Sequence, residues 1–119
     1  MRPASRTAGF GLLACGLVLF LAAAATAADL DAGKNLYLSR CLFCHGEAGK
    51  GDGPAARGLK PPPTNLATAE YWRTASVERM KGIIADGIPG SAMLPFKSAL
   101  RPDQIDTVVD YIQTFKPAP

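Results

Sequence analysis

The sequence predicts a small all-α domain: three main helices joined by long loops rich in Gly and Pro, wrapped around something bulky and apolar that the chain itself does not supply. Three observations carry this expectation. Apolar residues recur at helical spacing in three places, each with start and stop signals. The segments between them are broken repeatedly by Gly and Pro. The whole chain has only 119 residues, and loops that long in a compact domain normally need something to wrap around.

The N-terminus reads as a secretory signal peptide. Arg2 and Arg6 stand without an acid, residues 9–25 are almost wholly small or apolar, and Ala25-Thr26-Ala27 offers the small residues a signal peptidase requires. Cleavage after Ala27 divides the chain into a leader, 1–27, and a working domain, 28–119. Two rival readings compete with this one. The apolar stretch is long enough to serve as an uncleaved membrane anchor, but its alanine-rich second half and the Ala-Thr-Ala site favour cleavage. Leu12-Leu13-Ala14-Cys15 resembles a lipoprotein site, yet the apolar run continues well past Cys15, where such a site should close it. Cys15 therefore leaves with the leader, and export places the domain in the periplasm.

Loss of Arg2 and Arg6 lowers the chain's net charge of +3 to about +1. A near-neutral domain with singly scattered basic residues offers no surface for tracking phosphates, which argues against nucleic acid as a partner. A domain this small is hard to stabilise with its own core.

The first helix is expected from Asp31, as cap, to Arg40, with Leu36, Tyr37 and Leu38 leading into Cys41. Glycines at 46, 49, 51 and 53 then break it into a loop of tight turns. A phosphate-binding P-loop does not fit this loop, because no Ser or Thr follows Gly49-Lys50 and no strand leads in. Pro61-Pro62-Pro63 forces an extended connector. A second helix is expected from its cap Ser76 to its stop Gly87, with Val77, Met80, Ile83 and Ile84 on one face. The segment from Gly87 to Phe96 cannot continue it, since it holds two prolines and two glycines. Arg101-Pro102-Asp103 opens the last helix, with Pro at the first position and an acid in the first turn. Its apolar face is Ile105, Val108, Val109, Ile112 and Phe115, and Pro117 ends it.

Cys41-Leu42-Phe43-Cys44-His45 carries the chemistry. The C-x-x-C-H spacing is that of c-type haem attachment. Residues at i, i+3 and i+4 share one face of a helical turn, so the two thiols can bond to two vinyl groups while the imidazole reaches the iron. A thioredoxin-like disulfide would need a buried strand ahead of Cys41, and none is evident. A structural zinc site needs four ligands, whereas the exported chain keeps two cysteines and one histidine.

A ligating histidine usually donates its other ring N–H to an acceptor, and a carbonyl of Pro61, Pro62 or Pro63 is the expected partner of His45. The single histidine excludes His/His ligation from within the chain. Of the two methionines left after export, Met80 falls on an apolar helix face, where Met is ordinary packing. Met93 sits in an irregular loop between Pro89 and Pro95, free to close over the other face of the haem. His45 and Met93 are thus the expected iron ligands, and Cys41, Cys44, His45 and Met93 the cofactor-binding set. The chain alone is expected to leave a loose centre between His45 and Met93.

With these residues in view the chain resembles the class I cytochrome c family in its small bacterial monohaem form, over Asp29 to Lys116. The likeness rests on Cys41 to His45, the Gly46 to Gly53 run ending Gly-Asp-Gly-Pro-Ala, Ser-Ala-Met-Leu-Pro-Phe around Met93, and the Arg-Pro-Asp-Gln-Ile…Tyr-Ile helix. Leu94 is the one position where family members often carry Pro or a small residue. The resemblance implies an all-α cytochrome c fold whose first and last helices cross at right angles, with Gly33 and Tyr37 meeting Tyr111. It further implies that Tyr71 and Trp72 line the haem or its propionates.

A haem closed on both sides leaves one-electron transfer and no place for a substrate to coordinate, so the expected role is a periplasmic carrier and not an enzyme. Its partners would be redox proteins met transiently. A dedicated haem subunit of a larger redox enzyme is the close alternative, and a sensor or peroxidase with open iron a more distant one.

Overall fold

The computed structural model describes residues 25–119. The expected leader, 1–27, therefore lies outside the described residues except for its last three, and Cys15 lies outside them entirely. Among the described residues no helix is long and apolar enough to cross a membrane.

Helix α1 runs over Ala27–Arg40, starting four residues ahead of Asp31, and its cap is Thr26 and not Asp31. The Thr26 hydroxyl accepts from the Asp29 N–H at 3.2 Å, while the Asp29 carboxylate accepts from the Thr26 N–H at 3.1 Å. That reciprocal pair satisfies two N-terminal amides at once, which a lone Asp31 could not do. At its other end α1 passes almost directly into α2, Leu42–His45. The Cys44 and His45 amides donate to the Cys41 carbonyl at 3.2 and 2.9 Å. One helical turn thus contains the whole C-x-x-C-H segment.

Gly46, Gly49 and Gly51 follow, all at positive φ, and the chain turns back on itself before a short 3-10 turn over Ala56–Gly58. After the prolines comes α3, Ala69–Thr74, capped by Thr68, whose hydroxyl accepts from the Tyr71 amide at 3.2 Å. This helix has no counterpart among the three expected, because six residues are too few to show a helical period. Helix α4, Val77–Asp86, has the expected cap: Ser76 Oγ accepts from the Arg79 amide at 3.1 Å. Gly87 ends it at φ 70°. Helix α5, Pro102–Ile112, begins where Pro102 predicted and closes in a 3-10 turn over Gln113–Phe115, ahead of Pro117.

The core is built where α1 lies against α5. A Cβ on Gly33 would sit 2.9 Å from Tyr111 Cβ and closer still to the Thr107 carbonyl, so glycine is what lets the two backbones approach. Tyr37, Val108 and Val109 are fully buried there. The rings of Tyr37 and Tyr111 lie 5.5 Å apart, and Phe115 meets both edge-on at 5.1 and 5.3 Å. These are favourable aromatic geometries. The meeting of Gly33, Tyr37 and Tyr111 implied by the resemblance is therefore present, with Phe115 as an additional member. Lys81 on α4 pairs with Asp106 on α5 at 2.9 Å, beside the contact of Met80 and Ile84 with the α5 core.

Candidate haem site

Packing α1 on α5 fixes Cys41 and His45, because both follow the C-terminus of α1 within one turn. The buried Tyr37 hydroxyl strengthens that hold by donating to the Gly46 carbonyl at 2.7 Å, tying the residue after His45 to the α1 core. The turn faces a cavity of about 330 Å³, within the usual size of sites that enclose a cofactor. Cys41, Cys44 and His45 line it on one part of its wall; Leu59, Pro61, Pro62, Pro63 and Thr64 from the extended connector, Met80, Ile83 and Ile84 from α4, and Met93 with its loop complete it. The loose centre expected between His45 and Met93 is this cavity. Its wall is overwhelmingly apolar, and among the described residues Arg40 is the one Lys, Arg, Asp or Glu in it.

The histidine is already set for a metal. His45 Nδ1 lies 3.2 Å from the Thr64 carbonyl. A carbonyl can only accept, so Nδ1 carries the proton and Nε2 keeps its lone pair. The acceptor is Thr64 and none of the three prolines, which corrects the expectation from sequence. Pro63 turns its carbonyl towards Gly51, where a Cβ would come within 2.6 Å of it. Successive groups of an extended chain face opposite sides, so the next carbonyl is the one that reaches His45. Burial lowers the His45 pKa, and the hydrogen bond to Thr64 opposes this only in part. The ring is held neutral, the form that ligates.

Cys41 and Cys44 are both free thiols. Burial, reinforced by the neighbouring Cys44 sulfur, pushes the Cys41 thiol up to about 11. Thiol–disulfide exchange needs the opposite, a depressed pKa and a ready thiolate. Two unpaired, half-buried cysteines lining an apolar cavity beside a neutral histidine instead suit covalent attachment of a flat apolar group.

Both methionines reach the cavity. Met80 is 4% exposed and belongs to the core of α4 against α5, as the helix pattern indicated. Met93 is half-buried and lies on a loop fixed by its backbone: the Met93 carbonyl accepts from the Ile88 amide at 2.9 Å, and the Met93 amide donates to Ser91 Oγ at 3.1 Å. Sequence reasoning missed Ser91 and Thr64. A serine two residues before the loop methionine was the available signal for the first; Thr64 acts through its backbone carbonyl, which its side chain does not mark.

The two aromatics part company. Tyr71 lines the cavity. Trp72 does not, and its indole N–H donates to the Leu66 carbonyl at 2.7 Å, so it has no donor left for a propionate. Its ring packs edge-on to Tyr71 at 5.3 Å. Trp72 is a strut behind the site.

A family model described as cytochrome c matches residues 30–116. No curated protein is matched by the sequence. Among solved structures, the chain is similar to the KustC0563 c-type cytochrome, with 33% identity, a TM-score of 0.63, and coverage of 71% of this chain and 98% of that one. It is also similar to a chain of the Kuenenia stuttgartiensis reducing HAO-like protein complex Kustc0457/Kustc0458, at 30% identity and a TM-score of 0.63; the match covers 72% of this chain and only 42% of that one. Cytochrome CL from the marine methylotrophic bacterium Methylophaga aminisulfidivorans shares the fold, at 22% identity, a TM-score of 0.58, and coverage of 73% of this chain and 55% of that one. The family match spans the all-α core, the Cys41–His45 turn and the Met93 loop alike, and the chain belongs to the cytochrome c family, whose covalently bound haem c fits the cavity these residues enclose.

Proposed function

We propose that the protein is an exported one-electron carrier in which Cys41 and Cys44 hold the haem by thioether bonds while His45 and Met93 ligate its iron. The observation that carries this reading is the convergence on one apolar cavity of two free thiols, an imidazole with its Nε2 lone pair available, and a loop-borne thioether. Bound haem c supplies the Fe(III)/Fe(II) couple. The chain's own part is to keep both ligands in place in either oxidation state, so that little rearrangement opposes electron transfer. Thr64 fixes the imidazole tautomer and plane, the apolar wall excludes water, and thioether ligation favours the reduced iron. Two side-chain ligands leave no position for a substrate, which supports a carrier over an enzyme. The leader pattern supports a periplasmic location.

The haem-loaded protein tests the assignment directly. A pyridine haemochrome spectrum should be that of haem bound through two thioethers, and the reduced protein should not bind carbon monoxide at neutral pH. Met93→Ala should remove the methionine–iron band of the ferric spectrum and admit carbon monoxide. An unchanged ferric spectrum in that variant would show that another group is the ligand.

A second reading is a dedicated haem subunit of a larger redox enzyme. It is favoured by the likeness to a chain of the HAO-like protein complex, of which this chain spans 42%. Purification from the native source separates the two: constant association with a catalytic subunit rules out the free carrier.

A further inference from the structure

We infer that Ser91 is a positioning residue for Met93, a latch whose hydroxyl determines how firmly the thioether is held against the iron; this rests on Met93 being the ligand. The loop after α4 closes through a ring of four hydrogen bonds. The Ile88 amide donates to the Met93 carbonyl at 2.9 Å, the Ser91 amide to the Ile88 carbonyl at 3.1 Å, the Ser91 hydroxyl to the same Ile88 carbonyl at 2.7 Å, and the Met93 amide to Ser91 Oγ at 3.1 Å.

Two of these bonds satisfy the same acceptor. The turn from Ile88 to Ser91 is closed by the backbone amide alone, so it does not depend on the hydroxyl. What only the hydroxyl provides is an acceptor for Met93, and its own donation to Ile88 aims the oxygen lone pairs at that amide. Ser91 also lines the cavity beside Met93. The neighbouring geometry leaves little slack: Gly87, at φ 70°, has no Cβ, and one there would stand 2.6 Å from the Met93 carbonyl.

The contrast with Met80 shows why such a latch matters. Met80 sits inside α4, where the helix and the core packing hold it, whereas Met93 lies in the loop between α4 and α5, where the hydrogen bonds above tie its backbone. With no helical ladder running through Met93, these loop hydrogen bonds take the larger share in fixing its position.

The test is displacement of Met93 from the ferric, haem-loaded protein by added imidazole, followed by loss of the methionine–iron band. In this exchange one iron–sulfur bond breaks and one iron–nitrogen bond forms, with no electron transferred. Ser91→Ala should lower the imidazole concentration at half-displacement about fivefold, which is about 1 kcal/mol at 1.4 kcal/mol per tenfold change. Ser91→Thr keeps the hydroxyl and should restore the wild-type midpoint, which a role in merely filling space would not predict. Met93→Ala serves as the reference and should lack the band before any imidazole is added.

If Met93→Ala lacks the band while Ser91→Ala titrates like wild type, or if Ser91→Thr shifts as far as Ser91→Ala, the latch is overturned and the ligand assignment stands. If Met93→Ala retains the wild-type band, the ligand assignment fails and the latch with it.

Discussion

Replacing Gly33 by Ala probes the contact on which the site is mounted. A Cβ at this position would meet Tyr111 Cβ at 2.9 Å and the Thr107 carbonyl more closely. Neither is the free end of a flexible side chain, so relief requires α1 and α5 to move apart. Overpacking of a tight contact costs about 1–3 kcal/mol, and backbone on both sides places this one near the upper end. Alanine recovers about 0.8–1 kcal/mol of helix propensity, leaving a net loss of about 2 kcal/mol. For a domain of this size each kcal/mol moves the melting temperature by about 4–8 °C, so Gly33→Ala should melt about 8–16 °C lower. The same change at Gly82 provides the opposite sign. Gly82 lies on the exposed face of α4, and a Cβ there would have nothing within 4 Å, so Gly82→Ala should gain up to about 1 kcal/mol and melt about 4–8 °C higher. Thermal unfolding of both haem-loaded variants, followed by far-UV circular dichroism, is the assay. Should Gly33→Ala melt at or above wild type, close backbone approach is not what the glycine provides, and the account of the α1–α5 core is wrong.

Tyr37→Phe removes the hydroxyl that donates to Gly46 at 2.7 Å and leaves the Gly46 carbonyl with the Gly49 amide, at 3.2 Å, as its donor, a loss of about 1 kcal/mol to be read from the denaturant midpoint. Trp72→Phe deletes the indole bond to Leu66. Stability should fall by about 1 kcal/mol while the haem absorbance stays unchanged; a shifted haem spectrum would return Trp72 to the wall of the site. In the unfolded, haem-loaded protein neither Cys41 nor Cys44 should react with a thiol reagent, because thioether bonds consume both sulfurs. Recovery of two reactive thiols from the haem-loaded protein would refute covalent attachment.

Much of this protein was legible along the chain because its strongest signals are local. The C-x-x-C-H turn places its three groups by helical geometry alone, within five residues. Ser76, Gly87 and Pro102 bound their helices through the capping preferences of single residues. The start of α1 was harder to read. Thr26 belongs both to the small-residue pattern of a leader and to the capping box with Asp29, and the two signals overlap in the same residues. Trp72 was misplaced for a different reason: adjacent residues on a helix point about 100° apart, and which of Tyr71 and Trp72 faces the cavity depends on how α3 is seated, with the Trp72 indole turned to the Leu66 carbonyl.

The sequence by itself determined the cofactor and the way it is attached, since a thiol pair and a histidine one turn apart define that chemistry wherever the turn lies. It also determined the helical class, through the period of its apolar residues. Only the tertiary structure decided what holds His45 and Met93, the ligands proposed above. His45 receives its support from Thr64, 19 residues away, through a backbone carbonyl that every residue type possesses, so no side-chain pattern could announce it. Likewise the helix pattern marked Met80 as core, but its closeness to the same cavity as Met93 depends on how α4 meets α5. Attachment is written in neighbours along the chain; the surroundings that orient a ligand come from residues far apart in sequence, which meet only once the chain has packed.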